Sequence, residues 1–383
     1  MLNHLRYYFT NREAVVIGLV FAFNSFLFGN WVTRIPDVKV NLNLTDADLG
    51  LALLGAPVGA MMIMPISGWI IAKFKLGKVT WISSLFHLAS PILLSLAPNF
   101  YFLVFGLFYF GFTNALMDIS MNAAAAATER KALRPIMSTC HGMWSLGAML
   151  GSAIGSLFLG LGFSVWVHLI SLTLVILVVV AVLHRAICAY EEETSAGDKV
   201  FAMPNLSLLG LAFMAFCIFL SEGAIADWSA VYMTESLMSN PFLVGLAYSG
   251  FSLLMAIGRF SGDNLIPKFG SQKIVIVGGI LAFLGLGLTL IIEDSIFAIV
   301  GFSITGLGYS CIVPVLFSSA SREPGYTPGT GIAAVTTIGY TGFLMGPPFI
   351  GFLSEMVSLG FGLGLVVILS GMVSLLATFI RFN

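Results

Sequence analysis

Charge is what this sequence has least of: Asp, Glu, Lys and Arg make up 9% of 383 residues, where soluble domains carry about 25%. With 58% hydrophobic residues and a mean hydropathy of +1.00, the chain cannot cover its surface with polar groups, so a soluble globular fold is excluded. The net charge is −1, and Lys and Arg sit in short clusters between apolar runs, so no basic face for nucleic acid exists. Cysteine is also sparse. Cys140, Cys188, Cys217 and Cys311 show neither C-x-x-C nor metal-ligand spacing, which excludes a disulfide framework and a structural metal site. No nucleophile–base constellation and no phosphate-binding glycine loop is present, so neither an enzyme nor an ATP-driven pump is indicated, and no cofactor is expected. The start, MLNHLRYYFTNREAVV, lacks a short apolar segment with a small-residue cleavage site, so the first helix is expected to be retained.

What is present is apolar sequence in long runs. A bilayer-spanning helix needs about 20 mainly apolar residues. By that rule the chain is an all-α polytopic membrane protein with twelve spans, at 14–33, 47–72, 79–97, 100–128, 136–160, 163–187, 206–233, 242–266, 273–292, 296–320, 329–353 and 357–380. An even number places both termini on one side. Basic residues favour cytoplasmic loops: with the termini inside, Lys73, Lys75, Lys78, Arg130, Lys131, Arg134, Arg185, Lys199, Lys268, Lys273 and Arg322 face the cytoplasm, and only Arg34 and Lys39 lie outside. A monomer in a bacterial inner membrane is expected, with both termini cytoplasmic.

The polar loop 188–205 divides the chain into halves, 1–187 and 206–383. They are alike: Ser67-Gly68 answers Ser261-Gly262, Asn30-Trp31 answers Asp227-Trp228, Leu49-Gly50 answers Val244-Gly245, and Gly147 and Gly151 answer Gly342 and Gly346. The offsets run from 194 to 197 residues, so one six-helix unit is used twice. Two halves of this kind suggest solute binding between them near the midplane.

These features resemble the major facilitator superfamily over essentially the whole chain. That family carries a cytoplasmic signature of Gly, an Asp four residues on, then Gly and basic residues. The first copy, GWIIAKFKLGK from Gly68 to Lys78, has Ala72 in place of the Asp and Lys75 in place of the Gly. The second, GRFSGDNLIPKFGSQK, keeps Gly258, Arg259, Gly262, Asp263, Gly270 and Lys273. The resemblance implies that Arg259 and Asp263 form the preserved half of an inner gate, with Gly68, Lys78 and Gly270 belonging to the same signature. DISMNAAAA, HGMWSLGAMLG, EGAIADWSAVY and GYTGFLMGPPFIG resemble a bacterial branch containing fucose-permease-like and rhizopine-transport-associated proteins of the MosC and YbjJ type.

A carboxylate at the centre of a membrane helix costs about 2.5–3.5 kcal/mol on insertion scales and should face the bundle interior or water. Asn114, Asp118 and Asn122 recur every four residues of the fourth span and form a polar stripe; the resemblance turns that span toward a central cavity. Asp118 reads as a proton carrier or as a packing residue bonded to Asn122 or to a neighbouring helix. Glu222 on the seventh span is a second proton or solute candidate, with an interhelical hydrogen bond as the alternative. His141 is a relay candidate or a packing residue, whereas His87 and His168, without acidic neighbours in their helices, read as structural. Arg34 has two options: an ion pair with Asp227 across the halves, or a local pair with Asp37. Asn24, Asn30, Trp31, Trp228, Tyr232, Tyr309 and Tyr340 supply amides and rings that suit a sugar-like solute, although Trp31, Trp228 and Tyr232 also suit interfacial anchoring. The glycines Gly147, Gly151 and Gly155, with Gly339, Gly342 and Gly346, allow close helix approach, either as sliding elements between the halves or as static packing. The functional expectation is a secondary transporter for a sugar- or cyclitol-like solute, coupled to protons or to sodium. Proton-driven efflux of amphiphiles and a non-transporting sensor are the other readings.

Overall fold

The computed structural model describes residues 8–134, 136–191, 206–380 and 382, so most of the 188–205 loop lies outside the described residues. Contacts divide the chain into two units, Met1–Asn43 with Ala52–Ser195, and Leu44–Leu51 with Ala196–Asn383. Helices account for nearly all of both.

The first unit contains α1 (Arg12–Asn41), α3 (Gly55–Phe74), α4 (Leu76–Ser95), α5 (Phe100–Ala132), α6 (Met137–Gly160) and α7 (Val165–Ile187); the short α2 (Asp46–Leu53) precedes α3. Starts are set by short polar side chains. Asn11 accepts the Ala14 N–H, and Asn99 accepts the Phe102 N–H, each satisfying an orphan donor of the first turn. Leu133, in the left-handed region at φ 51, closes α5. The interior is formed by Ile17, Val20 and Phe21 of α1 with Met117, Met121 and Ala124 of α5, Cys140 of α6 and Val180 of α7. The face α7 turns outward is as apolar as its core face: Leu174, Val175, Val178 and Val182 are all exposed. Such a surface is stable only in lipid.

The second unit contains α8 (Leu206–Val231), α9 (Leu246–Phe269), α10 (Ser271–Ile291), α11 (Ser295–Tyr309), α12 (Ile312–Ser321), α13 (Pro328–Met356) and α14 (Leu359–Phe379). Asp294 caps α11 and Ser358 caps α14. Gly270, at φ +83, ends α9 in a conformation that side chains other than glycine resist. Within the first unit α1 lies along α6, α3 and α4 along α5, and α4 along α7; within the second α8 lies along α13, α9 and α10 along α11, and α10 along α14. The pairing is the same in both, as expected of a repeated unit.

Among the described residues, ten helical segments are long and apolar enough to cross a membrane; α4 and α13 are not among them, and α4 buries Thr80, Ser83, Ser84, His87 and Ser90 inside its unit. Three expected spans are interrupted. The second breaks at Leu54, between α2 and α3; the seventh ends in a π-helical turn, Tyr232–Ser236; and the tenth is split at Ser310-Cys311 into α11 and α12.

The break at Leu54 coincides with a division of contacts, because Leu44–Leu51 groups with the second unit. There the Asp46 N–H donates to Glu355 Oε2 at 3.1 Å, and the Ser354 hydroxyl bonds the Asp46 carboxylate. Gly50 lies so near α13 that a Cβ would sit 2.6 Å from the Pro347 carbonyl oxygen.

The glycine series packs inside each unit. A Cβ on Gly147 would sit 2.1 Å from the Ala22 carbonyl of α1, and one on Gly151 2.2 Å from that of Phe26; on α13, Gly342 is held equally close to Phe216 of α8, at 2.4 Å. These glycines let α1 meet α6 and α8 meet α13 backbone to backbone.

Candidate functional site

In the first unit the polar residues of three helices converge on Asn24 of α1. This side chain is 2% exposed. Its Nδ2 donates to Asn114 Oδ1 of α5 at 2.8 Å and contacts Met117 Sδ at 3.4 Å, while its Oδ1 accepts the Trp144 indole N–H of α6 at 3.1 Å. A single amide thus uses both ends to tie α1 to α5 and α6. One turn beyond Asn114, Asp118 Oδ1 accepts Asn122 Nδ2 at 3.2 Å, and the same amide nitrogen donates to the Asp118 carbonyl at 2.9 Å. Asn114, Asp118 and Asn122 are all half-buried, so the stripe runs along the edge of the packing. His141 is half-buried too, its ring edge-on to Phe21 at 5.5 Å.

Further along α1 the grouping is sealed. Arg34 is 2% exposed, and its guanidinium donates to Asp37 at 2.6 Å, to His168 Nδ1 at 2.8 Å and to the Phe163 carbonyl at 2.8 Å. Because Nδ1 accepts, Nε2 carries the proton of the neutral ring and donates to Asn30 Oδ1 at 2.8 Å; Asn30 in turn donates to the Phe26 carbonyl at 2.8 Å. The ring also stacks on Phe158 at 4.5 Å. Of the two options for Arg34 the structure shows the local one, and it adds His168, which sequence alone gave no partner. Asn30 and Trp31 are closed off at 1% and 2% exposure.

In the second unit the charged groups gather between α8, α9 and α11. Glu222 is half-buried; its Oε1 is shut away with no hydrogen-bond partner among the described residues. Arg259 lies within electrostatic reach. So do the hydroxyls of Tyr248 and Tyr309. Asp227 is within reach of Tyr248 as well. Tyr309 is fully enclosed, bonded to Ser370 Oγ at 2.6 Å. Trp228 is buried, its indole N–H without a hydrogen-bond partner among the described residues, and Tyr232 donates to the Thr289 carbonyl at 3.2 Å. Trp228, Tyr232 and Tyr309 therefore sit in the packing rather than at its edge. Tyr340 is half-buried in a cluster of rings: Phe219 stacks on Phe343 at 4.9 Å and meets Tyr340 at 5.6 Å, and Tyr340 meets Phe343 at 6.1 Å.

Of the expected gate residues, Arg259 lies within electrostatic reach of Glu222, whereas the Asp263 side chain lies outside the described residues. Gly68 is open, with nothing within 4 Å of a Cβ, and Lys78 is exposed beside Cys188. A cavity of about 500 Å³ opens at the ends of α1, α5 and α7, lined by Glu13, Arg130, Lys131 and Tyr190 and including none of the α5 stripe. Tyr190 donates to the Glu13 carbonyl at 2.5 Å, and burial holds its hydroxyl above the usual phenol range, in the donor form.

Bundled apolar helices with amides and carboxyls set among them define a polytopic membrane protein. The sequence matches the Major Facilitator Superfamily over residues 15–347, and the chain belongs to that family. An uncharacterised MFS-type transporter of Yersinia pestis is 30% identical over 339 residues, covering 88% of each chain. Membrane protein MosC of Rhizobium meliloti is 29% identical, with 96% of this chain and 90% of that protein covered. Among solved structures, a bacterial homologue of the human lysosomal transporter Spinster matches with a TM-score of 0.73 at 12% identity, covering 96% of both chains; at that identity the likeness shows the fold. The family is one of transporters, not of enzymes.

Proposed function

We propose that this protein is a secondary transporter that carries a small polar, sugar- or cyclitol-like solute by alternating access, coupled to protons through Asp118. The observation that supports this most is the setting of Asp118: a carboxyl within an apolar helix, half-buried, bonded by Asn122 of its own helix and lying one turn from the Asn24–Asn114–Trp144 cluster. A carboxyl at a reachable edge can take up and release a proton as its surroundings change between wet and dry. Glu222 in the second unit is the partner group, and the 188–205 loop joins the two six-helix halves. The topology proposed is both termini cytoplasmic, in a bacterial inner membrane.

The test is uptake of labelled hexoses and cyclitols into proteoliposomes under an imposed pH gradient. Gradient-driven accumulation supports the proposal. Accumulation that ignores the proton gradient and follows sodium would remove the proton from it.

A further inference from the structure

The cavity at the ends of α1, α5 and α7 takes no part in proton coupling through Asp118. It holds about 500 Å³, within the roughly 300–1,000 Å³ of pockets that take small molecules. A second cavity of about 430 Å³, with Arg12 and Ala132 in its lining, adjoins it, and the two share Glu13, Thr128 and Lys131. Their walls are fixed. Tyr190 donates to the Glu13 carbonyl at 2.5 Å and accepts the Gly77 N–H at 3.0 Å, which ties the turn after α7 to α1 and α4. Thr128 is buried and spends its hydroxyl on the Ala124 carbonyl at 2.8 Å.

The charges around this space are unevenly matched. Arg130, Lys131, Glu13 and Glu191 line the first cavity, and Arg12 lines the second, so three cations face two carboxylates. Among the described residues the ion pairs are Lys131–Glu13 and Arg34–Asp37, and neither Arg12 nor Arg130 belongs to one. The Lys131–Glu13 pair, at 2.6 Å, is exposed on both sides; a pair so exposed is worth little, so Lys131 can exchange Glu13 for another anion at small cost. Arginine forks match phosphate oxygens. The apolar surroundings indicate where such a phosphate comes from. Val175, Val178 and Val182 are exposed and recur along α7 at three and four residues, with Ala186 next on the same face. Ala186 lines the cavity together with Ala189, so the stripe that meets lipid tails runs into a pocket edged with arginines. Phe9 and Leu133, close in the chain to the lining residues, are exposed as well.

We infer that these joined cavities seat the phosphate headgroup of an anionic phospholipid, with Arg12, Arg130 and Lys131 on the phosphate and an acyl chain along Val175, Val178 and Val182. One phosphodiester charge balances the one surplus cation. The site lies on the side assigned to the cytoplasm, where basic pockets between helices suit lipid headgroups. It is separate from solute transport and holds whichever solute or ion is carried.

Thermal stabilisation of the purified full chain in detergent, followed as lipid is added, tests this. The probes are phosphatidylglycerol, phosphatidylcholine with the same acyl chains, and glycerol phosphate without chains. Phosphatidylglycerol should stabilise at concentrations where the other two give little. Arg12→Gln with Arg130→Gln should raise the concentration of phosphatidylglycerol required by about ten- to thirtyfold, the range of two arginines at a membrane surface. Ala189→Trp keeps every charge and fills the cavity, and it should weaken the lipid in the same direction. Lys73→Gln with Lys268→Gln removes the same charge from exposed positions on the proposed cytoplasmic side and should respond as wild type does. Equal stabilisation by the two lipids, no loss with Ala189→Trp, or an equal loss in the Lys73 and Lys268 pair overturns the site. Glycerol phosphate as effective as phosphatidylglycerol overturns the lipid as its occupant. None of these outcomes bears on Asp118 or on the carried solute.

Discussion

Asn24 and His168 show how much a single side chain decides here. Asn24 spends its donor on Asn114 and its acceptor on Trp144, so Asn24→Leu would orphan both partners inside apolar surroundings. An unsatisfied buried group costs about 1–3 kcal/mol, and thermal unfolding in detergent should show a clearly lowered midpoint, with Asn24→Gln falling between. His168→Ala removes the acceptor for Arg34 Nε and the donor to Asn30. Since Arg34 retains Asp37 and the Phe163 carbonyl, the loss should be about 2–4 kcal/mol rather than outright misfolding; an unchanged midpoint would show that the network is slack. Neither role was legible beforehand. In the sequence Asn24 is one of several apolar-helix amides, and His168 has no acidic neighbour within reach along its own helix, because its partners lie 134 and 138 residues away.

At the scale of helices, the glycines separate into those that hold two backbones together and those that do not. Gly151→Ala would place a methyl group 2.2 Å from the Phe26 carbonyl, forcing α1 and α6 apart at about 1–3 kcal/mol. Gly287 of α10 has nothing within 4 Å of a Cβ, so Gly287→Ala should be neutral or stabilising by up to about 1 kcal/mol through helix propensity. Comparing the two midpoints tests whether backbone contact, and not glycine as such, sets stability. The apolar runs and most helices could be read directly from composition, since lipid demands long uninterrupted segments. The breaks at Leu54 and at Ser310-Cys311 could not: each interrupts a run that is apolar on both sides. Nor does a one-dimensional pattern fix how a helix is rotated against its neighbour. This is why the glycines of α6 and α13 could equally have been sliding surfaces, and why Trp228 and Tyr309, plausible cavity residues by type, lie inside the packing.

For the whole molecule, the repeat was readable because matched residues recur at a nearly constant offset, 194 to 197 residues, and the same helix pairings recur in each unit. The exception is Leu44–Leu51, whose contacts belong to the second unit; a hydropathy pattern carries no record of that. The proposed topology makes a direct prediction. A cysteine at Gly162, in the turn between α6 and α7, should react with a membrane-impermeant maleimide in intact cells, whereas one at Lys75 should react only after permeabilisation. The reverse pattern would invert the chain.

The central claim is that Asp118 carries the coupled proton, and proton movement in proteoliposomes challenged with hexoses and cyclitols tests it most directly. Wild type should show a solute-triggered flux. Asp118→Asn, which keeps the shape of the side chain and its place beside Asn122, should bind the same solute without that flux. Equal fluxes in the two proteins would contradict the account and make Asp118 a packing residue.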